Sequence, residues 1–240
     1  MGIDVDHNNR VTHNAAHEQR VVTSVTRNPT ITRDRGLLII NVFRRHRVGD
    51  HERDGNPLIY ALKRKNGYRI GYQSLKELSR NFDAILQKAA SESPCTVIVP
   101  MPSSASLTII MARRLQRLLS PKAEILPCFR KATVEEALNA APAPANVPQK
   151  LRRAYTSELN RLGKAPPHGF FQMKDVAKAV RPYFTPVVAD PATIANINGA
   201  CIMLVDDLAS SGTTLHVAAQ SALRAGAQRV QALCLLSKVD

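Results

Sequence analysis

The sequence predicts an α/β fold with a doubly wound, mainly parallel sheet, and three stretches carry that expectation. Cys201 to Val205 is a short, continuous apolar run, the pattern of a strand covered on both faces. It stops at two adjacent carboxylates, Asp206 and Asp207, followed by a small hydroxyl-rich turn and a helix-spaced pattern of Leu215, Ala218, Ala219, Ala222 and Leu223. Thr96 to Val99 is a β-branched run leading through Pro-Met-Pro-Ser-Ser-Ala-Ser into another helical segment. Arg229 to Ser237 (RVQALCLLS) supplies the last core strand.

The other elements follow in order. Met1 to about Arg35 is polar with little sustained periodicity, apart from a short strand candidate at Val21, Val22 and Val25. It reads as an exposed or loosely docked arm. His7, His13 and His17 lack the Cys or close carboxylate cluster that would complete a metal site. Gly36 to Val42 reads as a strand. Leu58 to Leu62 resumes the apolar pattern, and Asn66-Gly67 marks a turn before a short strand at Tyr68 to Tyr72. Leu75, Leu78, Phe82, Ile85 and Leu86 place an amphipathic helix over Ser74 to Ala90. A helix over about Ala105 to Leu119 and a strand at Ala123 to Pro127 complete the first core unit.

The Pro- and Ala-rich Ala140 to Gln149 cannot continue a helix. A basic stretch follows, and Pro166-Pro167-His168-Gly169 makes a second break. An excursion this long between core strands argues for a functional lid, expected to be flexible over 140–169. Gly169 to Met173 reads as a strand or hairpin, Asp175 to Val180 as a short helix, and Pro186 to Ala189 as a short strand. Ile194 to Gly199 leads into the acid-pair strand. The expected division is an N-terminal extension, 1–57, and a main domain, 58–240.

The chain has 240 residues, 44% of them hydrophobic, enough for one sizeable core. Cys95, Cys128, Cys201 and Cys234 are widely spaced and fall in or beside apolar runs. They read as small buried hydrophobes in a reducing compartment. No apolar run reaches membrane-spanning length and no signal peptide is visible. The expectation is a cytoplasmic protein without a membrane partner. A homo-oligomer is left open. The formal net charge of +14 and pI near 10.1 favour polyanionic partners. Arg44, Arg45, Arg47, Arg53, Lys63, Arg64, Lys65 and Arg69 are clustered in sequence and are the candidate face for RNA or DNA.

The acid-pair stretch has a chemical reading. Ligands of open parallel sheets bind at the carboxyl ends of strands. Backbone N–H groups of a Gly-bearing turn at a helix start form an anion site. Two carboxylates just before that turn can accept hydrogen bonds from vicinal hydroxyls. A ribose 5-phosphate fits this layout, with its phosphate in the turn and its hydroxyls on the acids. A Walker B strand would need a Gly-x-x-x-x-Gly-Lys loop elsewhere, which the glycines do not supply.

The stretch resembles the phosphoribosyl-pyrophosphate (PRPP) motif of type I phosphoribosyltransferases. Flanking segments are similar to the competence-associated (ComF-like) branch: Tyr60-Ala61-Leu62-Lys63 with Gly67, Val97 to Pro102, Gln149, Leu151, Arg161 and Phe170 in order, and Ala222 to Ala227. The resemblance covers about Leu58 to Val239. It implies the type I phosphoribosyltransferase fold with a hood or lid, and transfer of a phosphoribosyl group to an unidentified nitrogenous acceptor with release of pyrophosphate. It implies that Asp206 and Asp207 bind the ribose hydroxyls, directly or through Mg²⁺-bound water, and that Ala209, Ser210, Ser211, Gly212, Thr213 and Thr214 hold the 5-phosphate. Pro100, Met101, Pro102, Ser103 and Ser104 would face pyrophosphate, with Lys150, Arg152 or Arg153 closing over it. The chain departs from the branch after Pro102, where Ser103, Ser104, Ala105 and Ser106 stand in place of arginines. The alternative function is a non-catalytic PRPP or nucleotide sensor, or a nucleic-acid-binding component on the same fold. Pyrophosphate release from PRPP separates the two.

Overall fold

A computed structural model describes residues 1–46, 56–89, 94–209 and 211–239. The N-terminal region forms β1 (Gly2–Val5), β2 (Arg10–Asn14), β3 (Val21–Val22), β4 (Thr30–Asp34) and β5 (Leu37–Arg45). Next come α1 (Asn56–Leu62), β6 (Arg69–Ile70) and α2 (Tyr72–Ala89). The unit β7 (Val97–Pro100), α3 (Leu107–Leu119) and β8 (Glu124–Ile125) follows. The excursion holds β9 (Phe129–Lys131), α4 (Val134–Asn139), α5 (Gln149–Gly163), β10 (Val187–Ala189) and α6 (Pro191–Ile194). The chain closes with β11 (Cys201–Leu208), α7 (Thr213–Arg224) and β12 (Arg229–Val239).

The fold is α/β with mixed sheets of mostly parallel strands. In the main sheet β5, β12, β11, β7 and β8 lie side by side, each parallel to its neighbour. β3 and β4 pair antiparallel with β5. A smaller sheet joins β1, β2 and β6, and β9 pairs antiparallel with β10.

Alternation along the strands divides the core. Met203 and Val205 of β11 pack in one cluster with Phe82 and Ile85 of α2 and Met111 and Leu115 of α3. Ile202 and Leu204 pack in another with Leu215, Ala218 and Ala222 of α7. Helices therefore cover both faces, which is why the central strands read as unbroken apolar runs. Among the described residues no helix is long and apolar enough to cross a membrane.

Two expectations are corrected. The N-terminal segment is not a loosely docked arm. Ile3, Val11 and Val21 are fully buried in the same cluster as α2 and α3, and β5 pairs with β12 in the main sheet. The short strands hid this, because each contributes only one or two apolar side chains. Two of the segment's imidazoles pair with carboxylates: His13 Nδ1 lies 2.8 Å from Glu77 Oε2 on α2, and His17 Nε2 lies 2.8 Å from Asp4 Oδ1.

Residues 140–169, expected to be a flexible lid, are mostly helical and have a core of their own. α5 begins after Pro148, and Leu151, Tyr155, Leu159 and Leu162 form its packed stripe. Tyr155 is fully buried and donates to the Pro142 carbonyl at 2.6 Å. Its ring packs against Tyr183 and Phe184, with centroids 5.7 and 5.4 Å away. α4, absent from the sequence reading, opens on a capping box in which Thr133 and Glu136 satisfy each other's backbone N–H groups.

Candidate functional site

The site lies at the carboxyl ends of β7 and β11, where the strand order reverses. From β7 the chain steps outward to β8, and from β11 it steps the other way to β12. Such a switch point leaves a crevice because the two connections diverge.

The acid pair stands inside β11, which runs on to Leu208. Alternation turns the two side chains to opposite faces of the sheet. Asp207 is buried and forms an ion pair with Lys63, the residue following α1. Asp206 lies beside Cys234 in the register with β12, and its Oδ1 accepts from the Asp207 N–H at 2.8 Å. Desolvation first, and then the Asp207 carboxylate, push the Asp206 carboxyl up to about 7. Burial, with both carboxylates behind it, raises the Cys234 thiol well above its ordinary value. That makes Cys234 a neutral packing residue.

Beyond β11, Ala209 is buried and its N–H donates to the Leu236 carbonyl at 2.9 Å, which anchors the turn to β12. Ser210 lies outside the described residues. Ser211 Oγ accepts from the Thr213 N–H at 3.4 Å and lies 3.1 Å from Thr213 Oγ1. Thr213 is buried, so its hydroxyl braces the turn, whereas Thr214 lines the crevice. Gly212 is the residue before α7 and supplies no side-chain acceptor. Apart from the Thr213 N–H, first-turn donors of α7 are thereby left to solvent or a ligand.

Gly212 adopts φ +71°, and a Cβ there would lie 2.8 Å from Asp34 Oδ2. That oxygen is held by Lys238 Nζ at 2.6 Å, and His216 Nε2 lies 3.6 Å from it. The N-terminal hairpin thus braces the turn from behind, a contact invisible in the sequence. Gly212→Ala is expected to destabilise the protein by about 1–3 kcal/mol, from left-handed backbone strain plus the displaced carboxylate. Urea denaturation checks this. A loss below about 0.5 kcal/mol would show that the turn relaxes freely.

A crevice of about 240 Å³ opens between the motif and the excursion. Asp206, Asp207, Ser211, Gly212 and Thr214 line one wall, and Met173, Lys174 and Arg181 line the other. Arg181 is fixed by donating to the Val176 carbonyl at 2.9 Å and the Lys174 carbonyl at 3.0 Å.

The strand-end loop after β7 adjoins the acid pair, since Pro100 pairs with Val205 and the Met101 N–H donates to the Val205 carbonyl at 2.9 Å. Met101 itself is a core residue, buried in the α7-side cluster, so its side chain does not face a ligand. Pro102, Ser103 and Ser104 continue outward. Lys65 Nζ donates to Ser104 Oγ at 2.6 Å.

The expected closing residues sit elsewhere. Lys150, Arg152 and Arg153 are exposed on α5. Arg152 turns back on its own segment, donating to the Val147 and Ala145 carbonyls, both at 2.9 Å. The cations that gather near the acid pair are different. Lys131, at the end of β9, is half-buried and stands within electrostatic reach of Lys65, Lys63, Asp207 and Lys174. Desolvation, then those like charges, lower its ammonium below the ordinary lysine value. The sequence reading missed Lys131, Lys174 and Arg181. Their only sequence signal was a place in the excursion, beside short apolar stretches that prove to be core.

The candidate nucleic-acid cluster is dispersed. Arg45 is buried, with Nε donating to the Ser237 carbonyl at 2.6 Å. Lys63 pairs with Asp207 and Lys65 bonds Ser104, while Arg64 and Arg69 are exposed. Arg47 and Arg53 lie outside the described residues. Substituting Arg45 would therefore disturb the β5–β12 seam, not a separate surface.

Searches with this chain match no family model and no curated protein.

Proposed function

We propose that this chain is a phosphoribosyltransferase-like protein of type I fold that binds PRPP and transfers its phosphoribosyl group to a nitrogen nucleophile. The observation that carries the reading is the joining, at one switch-point crevice, of the acid pair, the Ser211–Thr214 turn and two cations, Lys174 and Arg181. The 5-phosphate would rest on the turn and the start of α7. The ribose hydroxyls would donate to Asp206 and Asp207. Pyrophosphate would lie toward Ser103, Ser104 and Lys65.

In the reaction the C1–O bond to pyrophosphate breaks as the N–C1 bond forms. Pyrophosphate leaves with the electron pair, and the nitrogen gives up its proton. Positive charge develops on the ribose ring and negative charge on the leaving group. The chain's task is to hold the ring over the carboxylates and to place cations against the departing oxygens. A Mg²⁺ ion, when bound, would supply further neutralisation of the leaving group. The acid pair does not fit as its direct shell. Asp207 is already paired with Lys63, Asp206 is held toward its protonated form, and the described residues contain no group of three metal-ligating side chains.

The test is calorimetry with PRPP, followed by pyrophosphate release from PRPP in the presence of a panel of bases. Saturable binding and base-dependent release are expected. Binding without release for any base would favour the sensor alternative. No PRPP binding would reject the site.

A further inference from the structure

We infer that the groove between α2 and α3 docks an amphipathic helix of a partner protein, which inserts an apolar side chain and sets carboxylates against α3. The surface goes beyond the phosphoribosyl reading. It shares no lining residue with the motif crevice.

The groove has a floor of Leu58, Phe82 and Met111, with Leu75 of α2 and Ile110 of α3 as walls. Its volume is about 100 Å³. Small-molecule sites hold roughly 300–1,000 Å³, so a metabolite-sized ligand does not fit. The groove is also smaller than the ~150 Å³ apolar cavity that takes benzene. It is matched to one inserted apolar side chain. Leu75 and Ile110 are 39% and 56% exposed. They extend the apolar surface outward at the lip of the recess, where a partner would cover them.

The recess is held open by a clamp. The Arg114 guanidinium of α3 grips both carboxylate oxygens of Asp83 on α2, with Nη2 2.6 Å from Oδ2, and stands 5.7 Å from the centre of the Phe82 ring. That pairing ties the two helices together and neutralises Arg114. The arginines beside it are not neutralised. Ile110 also lines an open trough of about 540 Å³ with Arg113, Arg117 and Ile125. Arg113 and Arg117 are exposed and pair with no carboxylate among the described residues. They stand one turn apart on α3, about 6 Å along its axis.

These features select the occupant. Carboxylates three or four residues apart on a helix repeat at about the same interval. A helix lying along α3 can therefore meet both arginines while its apolar face covers Ile110 and fills the recess, the helix-in-groove mode of recognition. The apolar anchor supplies the affinity, and the rim charges fix partner and orientation. A second copy of the chain fits worse, because a two-fold contact through α3 sets Arg113 and Arg117 against their own counterparts. Nucleic acid would satisfy the arginines and leave the apolar recess empty. A lipid surface would meet Ile110 and likewise has no side chain to place in the recess.

The probe is a fluorescein-labelled synthetic helical peptide with leucines along one face and glutamates beside them, titrated with the full chain and followed by anisotropy. Saturable binding is expected. A peptide with lysines in place of the glutamates, and one with alanines in place of the leucines, should each bind at least about tenfold more weakly. Ile110 is exposed, so Ile110→Gln should fold normally, as circular dichroism will verify, and should lose at least about tenfold in affinity. Arg113→Glu with Arg117→Glu should lose as much and should now prefer the lysine peptide. Arg153→Glu with Lys164→Glu makes the same change in net charge at exposed positions of the excursion. It should keep the parent affinity within about twofold. No binding of the acidic peptide up to about 100 μM would overturn the inference. An equal loss in the excursion variant would also overturn it, since net charge alone would then explain the binding. Self-association of the chain that Ile110→Gln abolishes would give the face to a second copy. Phosphatidylserine-vesicle binding that the same substitution abolishes would give it to a membrane. Either result overturns the helix.

Discussion

Asp206→Asn is expected to make the protein more stable at pH 8 while weakening PRPP binding about a hundredfold. Both effects come from a half-buried carboxyl beside a buried one. The native pKa is raised to about 7 by desolvation and by Asp207, whereas an unfolded aspartate titrates near ~3.9. A raised native pKa means that the folded state holds the proton more tightly than the unfolded state. The associated stability is fully present below about pH 4 and is lost as pH rises through about 7. The shift corresponds to at most about 4 kcal/mol. Asp206 is partly exposed, so solvent screening reduces this to about 1–3 kcal/mol. An asparagine does not ionise, so the variant escapes the loss. Its melting temperature should match the parent near pH 4 and exceed it by roughly 5 °C at pH 8. At pH 8, above the raised pKa of about 7, the same substitution removes a charged acceptor for a ribose hydroxyl, worth about 1.5–3 kcal/mol. Thermal melts across pH 4–8 and PRPP calorimetry check the two halves. A variant with a pH-independent stability difference would contradict the placement of Asp206. Unchanged PRPP affinity would remove it from the ribose site.

Tyr155→Ala should unfold the helical part of the excursion. The side chain is fully buried, bonded to the Pro142 carbonyl and packed against Tyr183 and Phe184. Truncation removes a large apolar surface and leaves a cavity, at a cost of about 3–5 kcal/mol. It also leaves the Pro142 carbonyl without this donor. Because Phe171, Val180 and Phe184 share this cluster apart from the two sheet-side clusters, the loss should concentrate in the excursion. Hydrogen exchange should rise across α4 and α5 while β11 and β12 stay protected. Lys174 and Arg181 line the crevice from this region, so pyrophosphate affinity should fall with it. Tyr155→Phe keeps the ring and loses only the hydroxyl, for about 1 kcal/mol. A Tyr155→Ala chain within about 1 kcal/mol of the parent would show that the excursion does not depend on this core.

The strands of the main sheet were legible because burial on both faces writes unbroken apolar runs, as at Val97–Pro100 and in the first five residues of Cys201–Leu208. α2 was legible through its apolar stripe and appears at Tyr72–Ala89, close to the expected bounds. α5 carried a stripe as well, at Leu151, Tyr155, Leu159 and Leu162, but flanking prolines and a mean composition rich in charge obscured it. The N-terminal strands were not legible as core, since Ile3, Val11 and Val21 are isolated apolar residues whose burial depends on partners far along the chain.

The sequence by itself determined the α/β class, the order of strand, acid pair, turn and helix around Asp206 and Asp207, and the composition of the turn. These are local properties, written in periodicity and in residues a few positions apart. Only the tertiary structure decided which cations stand near the acid pair. Lys63 pairs with Asp207 and Lys174 lines the same crevice from a separate segment, while Arg152 turns back to its own segment's carbonyls. A charge in sequence has no address. Its partner is fixed by the folded path of the chain, and the strength of that pairing by the water that folding removes.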